Sequence, residues 1–299
     1  MIKLSIASEI TRINQNISNA YSALENKGAT IPQQKNSDNL ISTISSITAL
    51  DEYLEGGVVN YQGHATKIVE SALRYTDSLV SVDLPNVERV DRYGFANCNN
   101  LITVRLESCT YLHTEAFYGC SKLESVYIPE LTNVGGTYSA GQSGNFTYCR
   151  ALKSVNFPKL KNIGAYEFMY SGLEVADFPE VTNIASFAFA NCLSLTYAKL
   201  PKAATFSDDI FSGCTNLVRV ETPSATTMFG PFCANCTSLT AWVLGTRLAY
   251  PSNFSLPQQV IIYVDSSDLS WYQSTSGWST FYNAGRIKSV DELPPMETT

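Results

Sequence analysis

Phe117-Tyr118-Gly119-Cys120-Ser121-Lys122-Leu123-Glu124-Ser125-Val126-Tyr127-Ile128-Pro129 decides the fold. Its pattern, Phe-x-x-Cys-x-x-Leu-x-x-Val-x-Ile-Pro, returns along most of the chain. The Phe position is held by Phe95, Phe117, Phe146, Phe168, Phe189 and Phe211, with Leu73 before them and Cys233 after. The intervals are 22, 22, 29, 22, 21, 22 and 22 residues. Three residues on come Cys98, Cys120, Cys149, Ser171, Cys192, Cys214 and Cys236, with Thr76 in the first copy. A leucine column follows at Leu79, Leu101, Leu123, Leu152, Leu173, Leu195, Leu217 and Leu239. Pro85, Pro129, Pro158, Pro179, Pro201 and Pro223 close most copies.

A fixed period of roughly 20–29 residues built on Leu-x-x-Val-x-Leu marks a leucine-rich solenoid. One copy cannot bury its own apolar side. Stacked copies can, and the Phe, Cys, Leu and Val columns then form one continuous core. The alternation in Leu-x-x-Val-x-Ile reads as a short strand with every second side chain facing in. Proline ends it, because proline has no N–H for a further ladder bond.

These columns, with the longer form x-x-Ile-x-x-x-Ala-Phe-x-x-Cys-x-x-Leu-x-x-Val-x-Leu-Pro, resemble the BspA-like leucine-rich repeats, also described as Treponema pallidum-type. The resemblance covers residues 66–245. It implies a binding or adhesion surface of the kind found on bacterial surfaces and in phage proteins. Val260–Val264, Leu269–Gln273, Trp278–Tyr282 and Arg286–Lys288 resemble the closing segment of such proteins, an aromatic-rich cap spanning 246–290. A loose tail is expected over 291–299.

Ahead of the repeats, apolar residues fall at Ile6, Ile10, Ile13, Ile17, Ala20 and Leu24. Steps of four and three make a heptad seam. Lys27 and Gly28 end that helix, and Ile31-Pro32 forces an extended piece. Two readings stand: a helical hairpin packed on itself or on the next domain, or an oligomerisation stem. Isoleucine at both seam positions favours three or more strands, hence a homotrimer in the second reading. Ile6–Ile13, Ala23–Pro32 and Leu40–Ile47 resemble a short N-terminal module of phage tail and tail-fibre proteins. That resemblance implies a virion structural role, with other tail proteins as neighbours. Residues 51–65, with Gly56-Gly57, read as a linker or the entry to the repeat domain.

Net charge is −7, from 20 basic and 27 acidic residues, and charged residues are scattered at 16% of the chain. A nucleic-acid partner needs clustered Lys and Arg, and a membrane surface needs a polybasic patch; neither pattern is present. No apolar run reaches the ~20 residues of a membrane-spanning helix. Met1–Glu9 lacks the apolar core, roughly 7–15 residues long, of a secretory signal.

Catalytic motifs are not legible. Six of eight Cys share one register, where Ser171 and Thr76 substitute, so the thiols read as small buried hydrophobes. Cys233-Ala234-Asn235-Cys236 has metal-ligand spacing, but the repeat accounts for both thiols and no second pair or nearby His completes a zinc site. His64 and His113 join no nucleophile, and Asp208-Asp209 reads as a solvated turn. No cofactor motif is present.

Two surfaces remain for binding. One is the outward side of the strands: Asp83, Arg105, Tyr127, Asn156, Asp177, Lys199 and Glu221, with Tyr197 and Arg219 beside them. Mixed charge, amide and phenol suit a host surface protein or a glycan. The other is the seven-residue expansion of the period, Gly135–Asn145, whose Thr137, Tyr138, Gln142 and Asn145 have paratope-like composition. The expected architecture is mainly β with short helices. It is a solenoid of about eight 22-residue repeats over 66–245, preceded by an α-helical stem over 1–50. The expected function is non-enzymatic: a phage tail or tail-fibre protein presenting a host-recognition surface on the virion. The alternatives are a bacterial cell-surface or extracellular adhesin and an intracellular protein-interaction scaffold.

Overall fold

A computed structural model describes residues 58–60, 66–135, 144–245, 247–251 and 254–295. All belong to a unit of residues 56–299. The expected stem, with Ile6, Ile10, Ile13, Ile17 and Leu24, lies outside them.

The chain winds as a β-solenoid of about ten turns. Its short parallel strands, numbered in chain order, alternate between two faces. The front carries β1 (Val58–Asn60), β3 (Ser81–Asp83), β5 (Thr103–Arg105), β7 (Ser125–Tyr127) and β9 (Ser154–Asn156) in one ladder. A second front ladder holds β11 (Val175–Asp177), β13 (Tyr197–Lys199), β15 (Arg219–Glu221), β17 (Ala241–Val243), β18 (Ile261–Val264) and β19 (Ile287–Ser289). The back carries β2 (Lys67–Ile68), β4 (Arg89–Val90), β6 (Tyr111–His113) and β8 (Asn133–Gly135). Its second ladder is β10 (Asn162–Ile163), β12 (Asn183–Ile184), β14 (Thr205–Phe206) and β16 (Thr227–Met228).

Both ends extend beyond the expected bounds. β1 pairs with β3, so the stretch read as a linker or as the entry to the repeats already contains a rung of the ladder. At the other end β18 and β19 add rungs beyond residue 245, β18 pairing with β17 and β19 with β18. The tail expected over 291–299 is structured through 295: Val290–Glu292 forms a 3-10 turn closed by a capping box from Ser289 and Glu292. The reason is local, since that box satisfies donors a frayed end would leave to water.

The columns are buried as one core. Phe95, Phe117, Phe146, Phe168, Phe189 and Phe211 stack along the axis, with ring centroids 5.1, 5.5, 5.4, 5.4 and 5.3 Å apart. Interplanar angles stay at or below 11°. The stack runs unbroken past the inserted residues. Burying each ring contributes about 1.5–3 kcal/mol, with about 0.5–1.5 more for each ring pair. At Cys233 the column loses its aromatic. Phe232 takes over edge-on to Phe211 at 6.3 Å and meets Trp242 at 4.6 Å. From Trp242 the aromatic cap begins. Helices α1 (Leu269–Ser274) and α2 (Trp278–Asn283) seat Tyr272 and Trp278 fully inside. Leu248 anchors both, its N–H donating to the Tyr272 hydroxyl and its carbonyl accepting from Trp278 Nε1.

The bends between faces repeat a backbone device that the columns do not announce. Two residues after the Phe position the chain is left-handed in every turn: Tyr75, Asn97, Gly119, Tyr148, Tyr170, Asn191, Gly213 and Asn235 have φ between 58° and 76°. Glycine and asparagine take this region most readily, and they hold most of these positions.

Candidate functional site

Parallel register places the outward front residues in one row. Asp83 pairs with Arg105, Arg105 with Tyr127 and Tyr127 with Asn156. In the second ladder Asp177 pairs with Lys199 and Lys199 with Glu221, while Tyr197 pairs with Arg219 in the neighbouring row. All nine residues named from the sequence therefore share one face.

Their surroundings differ along the row. Near its start Arg105 is bonded to Glu107, lies 4.0 Å from Asp83 and covers the Tyr127 ring at 4.8 Å. Near its end Arg219 is only 13% exposed, ion-paired to Glu221 at 2.6 Å and donating to the Pro294 carbonyl at 3.2 Å. Burial and a hydrogen bond to Glu221 push the Tyr197 phenol up to about 12. The chain's own C-terminal segment thus closes over Arg219. Between these groups lie Asn156, Asp177 and Lys199, all exposed. Among the described residues none of the three side chains has a hydrogen-bond or ion-pair partner.

The same place is a seam. β9 ends the first front ladder and β11 begins the second. Elsewhere the residue after each front strand donates its N–H to the outward residue one turn on: Leu84 to Arg105, Leu106 to Tyr127, Ile128 to Asn156, Phe178 to Lys199 and Leu200 to Glu221. Among the described residues no such bond joins Phe157 to Asp177. The seam coincides with a change of spacing. Phe146 and Leu152 are six residues apart, whereas Phe168 and Leu173 are five. The shortened bend is held by Gly172, whose missing Cβ would sit 2.2 Å from the Arg150 carbonyl oxygen. A shallow groove of about 400 Å³ opens there, lined by Asn156, Phe157, Pro158, Asp177, Pro179, Lys199 and Pro201 among others. Sequence reasoning missed the prolines as lining residues and missed the seam, although the 21-residue interval signalled it.

The second expected surface is corrected at one position. Thr137, Tyr138 and Gln142 lie outside the described residues. Asn145 does not belong to an exposed loop: it is fully buried, accepts from Ala116 N–H at 3.0 Å and donates to Glu167 at 3.3 Å. The reason is its place just before Phe146, a position that is buried on every turn after the first.

The back face is internally paired as well. Lys67 and Arg89 flank Asp91, and Arg89 covers the Tyr111 ring at 5.6 Å. Lys161 and Lys202 both contact Glu180 and hold its carboxyl near 2. Asn183 donates to Asn162 at 2.9 Å.

The thiol ladder is structural. Cys98, Cys120, Cys149, Cys192, Cys214 and Cys236 are buried and free, each donating to the carbonyl at the Phe position one turn back, at 2.9–3.2 Å. Burial pushes the Cys109 thiol up to about 11 and also raises those of Cys149, Cys120 and Cys214. A buried thiol held by a backbone carbonyl is kept from acting as nucleophile or metal ligand. His113 is engaged by the Thr114 N–H at 2.8 Å, and His64 lies outside the described residues. Among the described residues no three His, Cys, Asp or Glu side chains converge as a metal site would require, and no helix is long and apolar enough to cross a membrane.

Residues 58–143 and 141–256 match the family model for the BspA type leucine rich repeat region. A leucine-rich repeat protein from Bacteroides ovatus is 23% identical, with a TM-score of 0.45; the match covers 69% of this chain and 52%, about half, of that one. The T. pallidum leucine rich repeat protein is 21% identical over 61% of this chain and 76% of its own, with a TM-score of 0.43. A leucine rich cell surface protein from Faecalibacterium prausnitzii is 20% identical over 68% and 71%, with a TM-score of 0.41. No curated protein matches the sequence.

Proposed function

This chain belongs to the BspA type leucine rich repeat family, and from that premise we propose that it is a non-enzymatic binding protein whose front face takes a surface protein or glycan. One observation carries the reading. The inward columns are uniform and chemically quiet, while the front row changes character from turn to turn and leaves polar side chains unused at its middle. A scaffold that only had to stack would gain nothing from Asn156, Asp177 and Lys199 standing unpaired on a groove.

Two settings suit such a protein. The family and the neighbour described as a cell surface protein favour a bacterial surface, where the chain would act as an adhesin. The resemblance of Ile6–Ile13 and Ala23–Pro32 to phage tail modules favours a virion, where residues 1–50 would trimerise and join other tail proteins. Binding of the purified chain to intact cells of candidate hosts tests the function. A front variant carrying Asn156→Ala, Asp177→Ala and Lys199→Ala should lose at least about tenfold in affinity, whereas Thr227→Ala on the back should not. Equal binding by both variants would overturn the front-face reading. Immunogold labelling then separates the settings: gold on cell envelopes supports the adhesin, gold on tails supports the virion protein.

A further inference from the structure

We propose that the seam between β9 and β11 is a saccharide site that takes an uncharged oligosaccharide. The inference rests on the front-face reading and names its ligand class. Three successive turns present an amide, a carboxylate and an ammonium: Asn156, Asp177 and Lys199. Asp177 and Lys199 stand on paired strands about 4.8 Å apart, with Asn156 across the seam, so the three groups form a short row of alternating hydrogen-bonding character. Asn156 both donates and accepts, Asp177 only accepts, and Lys199 only donates. A sugar hydroxyl does both, so a run of hydroxyls satisfies all three whatever their order.

The charges of Asp177 and Lys199 cancel, and the chain carries −7 overall. An acidic polysaccharide would meet net repulsion without the clustered Arg and Lys that anion recognition uses. Beside the polar row, Pro158, Pro179 and Pro201 line the same groove. Their rigid rings offer an apolar wall for the C–H face of a pyranose, at no cost in side-chain entropy. A peptide adding as a strand to the edge left open between β9 and β11 is the competing occupant, and the periodate arm of the test below separates it from a saccharide.

The neighbours are committed elsewhere. Arg105 is engaged by Glu107 and Tyr127, and Arg219 by Glu221 and Pro294. The unpaired groups are therefore confined to the stretch where the ladder opens.

The full chain should be applied to an array of neutral, sialylated and sulfated oligosaccharides. The same preparation should be tested on immobilised mucin, native or periodate-oxidised. Neutral saccharides should bind, and Asp177→Asn and Lys199→Ala should each weaken them at least about tenfold, the loss expected when a charge-assisted hydrogen bond goes. Thr227→Ala is the control and should change nothing. All three positions are exposed, so circular dichroism melting should show each variant folded like the parent. Retention of only sialylated or sulfated saccharides would overturn the proposal. So would mucin bound equally before and after periodate, although the front-face reading would then survive if the triple alanine variant lost binding. Silence on the array and on mucin overturns the saccharide assignment, and the cell-binding test still judges the front face independently.

Discussion

The inward column at Phe168 and the outward row at Asp177 share one turn of the solenoid, nine residues apart, and follow opposite rules. Phe168 is fully buried and stacks on Phe146 and Phe189 at 5.4 Å each, so every turn repeats the last. Asp177 repeats nothing: its register partner is Lys199, and across the seam comes Asn156. Stacking rewards identity, because a ring fits best on another ring at the same height. Recognition rewards difference, because a ligand reads only what distinguishes one turn from the next. Stability and binding are thus carried by separate sets of residues, and mutation can separate them.

Truncating the stack should have the largest effect. Phe168→Ala leaves a hole between two aromatic neighbours that cannot collapse onto each other, because the backbone ladder fixes the turn spacing. A loss of about 3–5 kcal/mol is expected, read as a lowered urea midpoint. A loss under about 1 kcal/mol would mean that the column is not the core.

The cap offers a pH test of the same inward region. Burial pushes the Tyr272 phenol up to about 12, working against the bond it accepts from the Leu248 N–H. An unfolded tyrosine releases its proton near 10. The folded state therefore holds the proton over a range where the unfolded chain has lost it. Its contribution is fully present below pH 10 and is lost as pH rises towards 12, about 2–3 kcal/mol in all. Denaturation at stepped alkaline pH should show that slope, and Tyr272→Phe should flatten it.

Much of the inward side was legible in the sequence, because burial enforces a period and a period survives in one chain. Phe, Cys, Leu and Pro columns located the turns, and alternation placed Asp83, Arg105 and Tyr127 on one face. What escaped was set by departures from the period. The split of the front ladder coincides with one residue fewer between Phe168 and Leu173, and a one-residue difference is invisible to a motif that tolerates gaps. Asn145 was misplaced because its composition suits a loop, while its register, next to Phe146, faces in. Arg219 looked free until the chain returned from Pro294, some 75 residues on. Such contacts depend on where the cap ends and leave no local pattern.

The thiol ladder should respond less than the rings. Cys214→Ala removes the bond from Sγ to the Phe189 carbonyl at 3.0 Å and a small buried volume. About 1–2 kcal/mol should be lost, with no loss of cell binding. In native buffer the described thiols should resist maleimide labelling and become reactive in urea, as buried thiols do. Rapid labelling of the folded chain at the ladder would place these cysteines at the surface and break the division of roles.

The smallest stability effect belongs to the outward row, and it sharpens the comparison most. Asp177→Asn keeps the shape of the side chain, removes one charge and severs no hydrogen bond or ion pair among the described residues. Its stability should stay within about 0.5 kcal/mol of the parent, the range of surface substitutions that touch nothing. Glu221→Gln is the matched control on the same face, since it breaks the ion pair with Arg219 at 2.6 Å. That pair is partly screened by solvent, so its removal should cost about 1 kcal/mol or less, yet more than Asp177→Asn. Urea titrations of both variants, run with the cell-binding assay, give two numbers for each residue. If Asp177→Asn leaves stability alone and removes binding while Glu221→Gln does the reverse, the middle of the row is built for a ligand and its end for the fold. If Asp177→Asn instead unfolds the chain as readily as Glu221→Gln, its carboxylate belongs to the scaffold and the separation of roles fails at that residue.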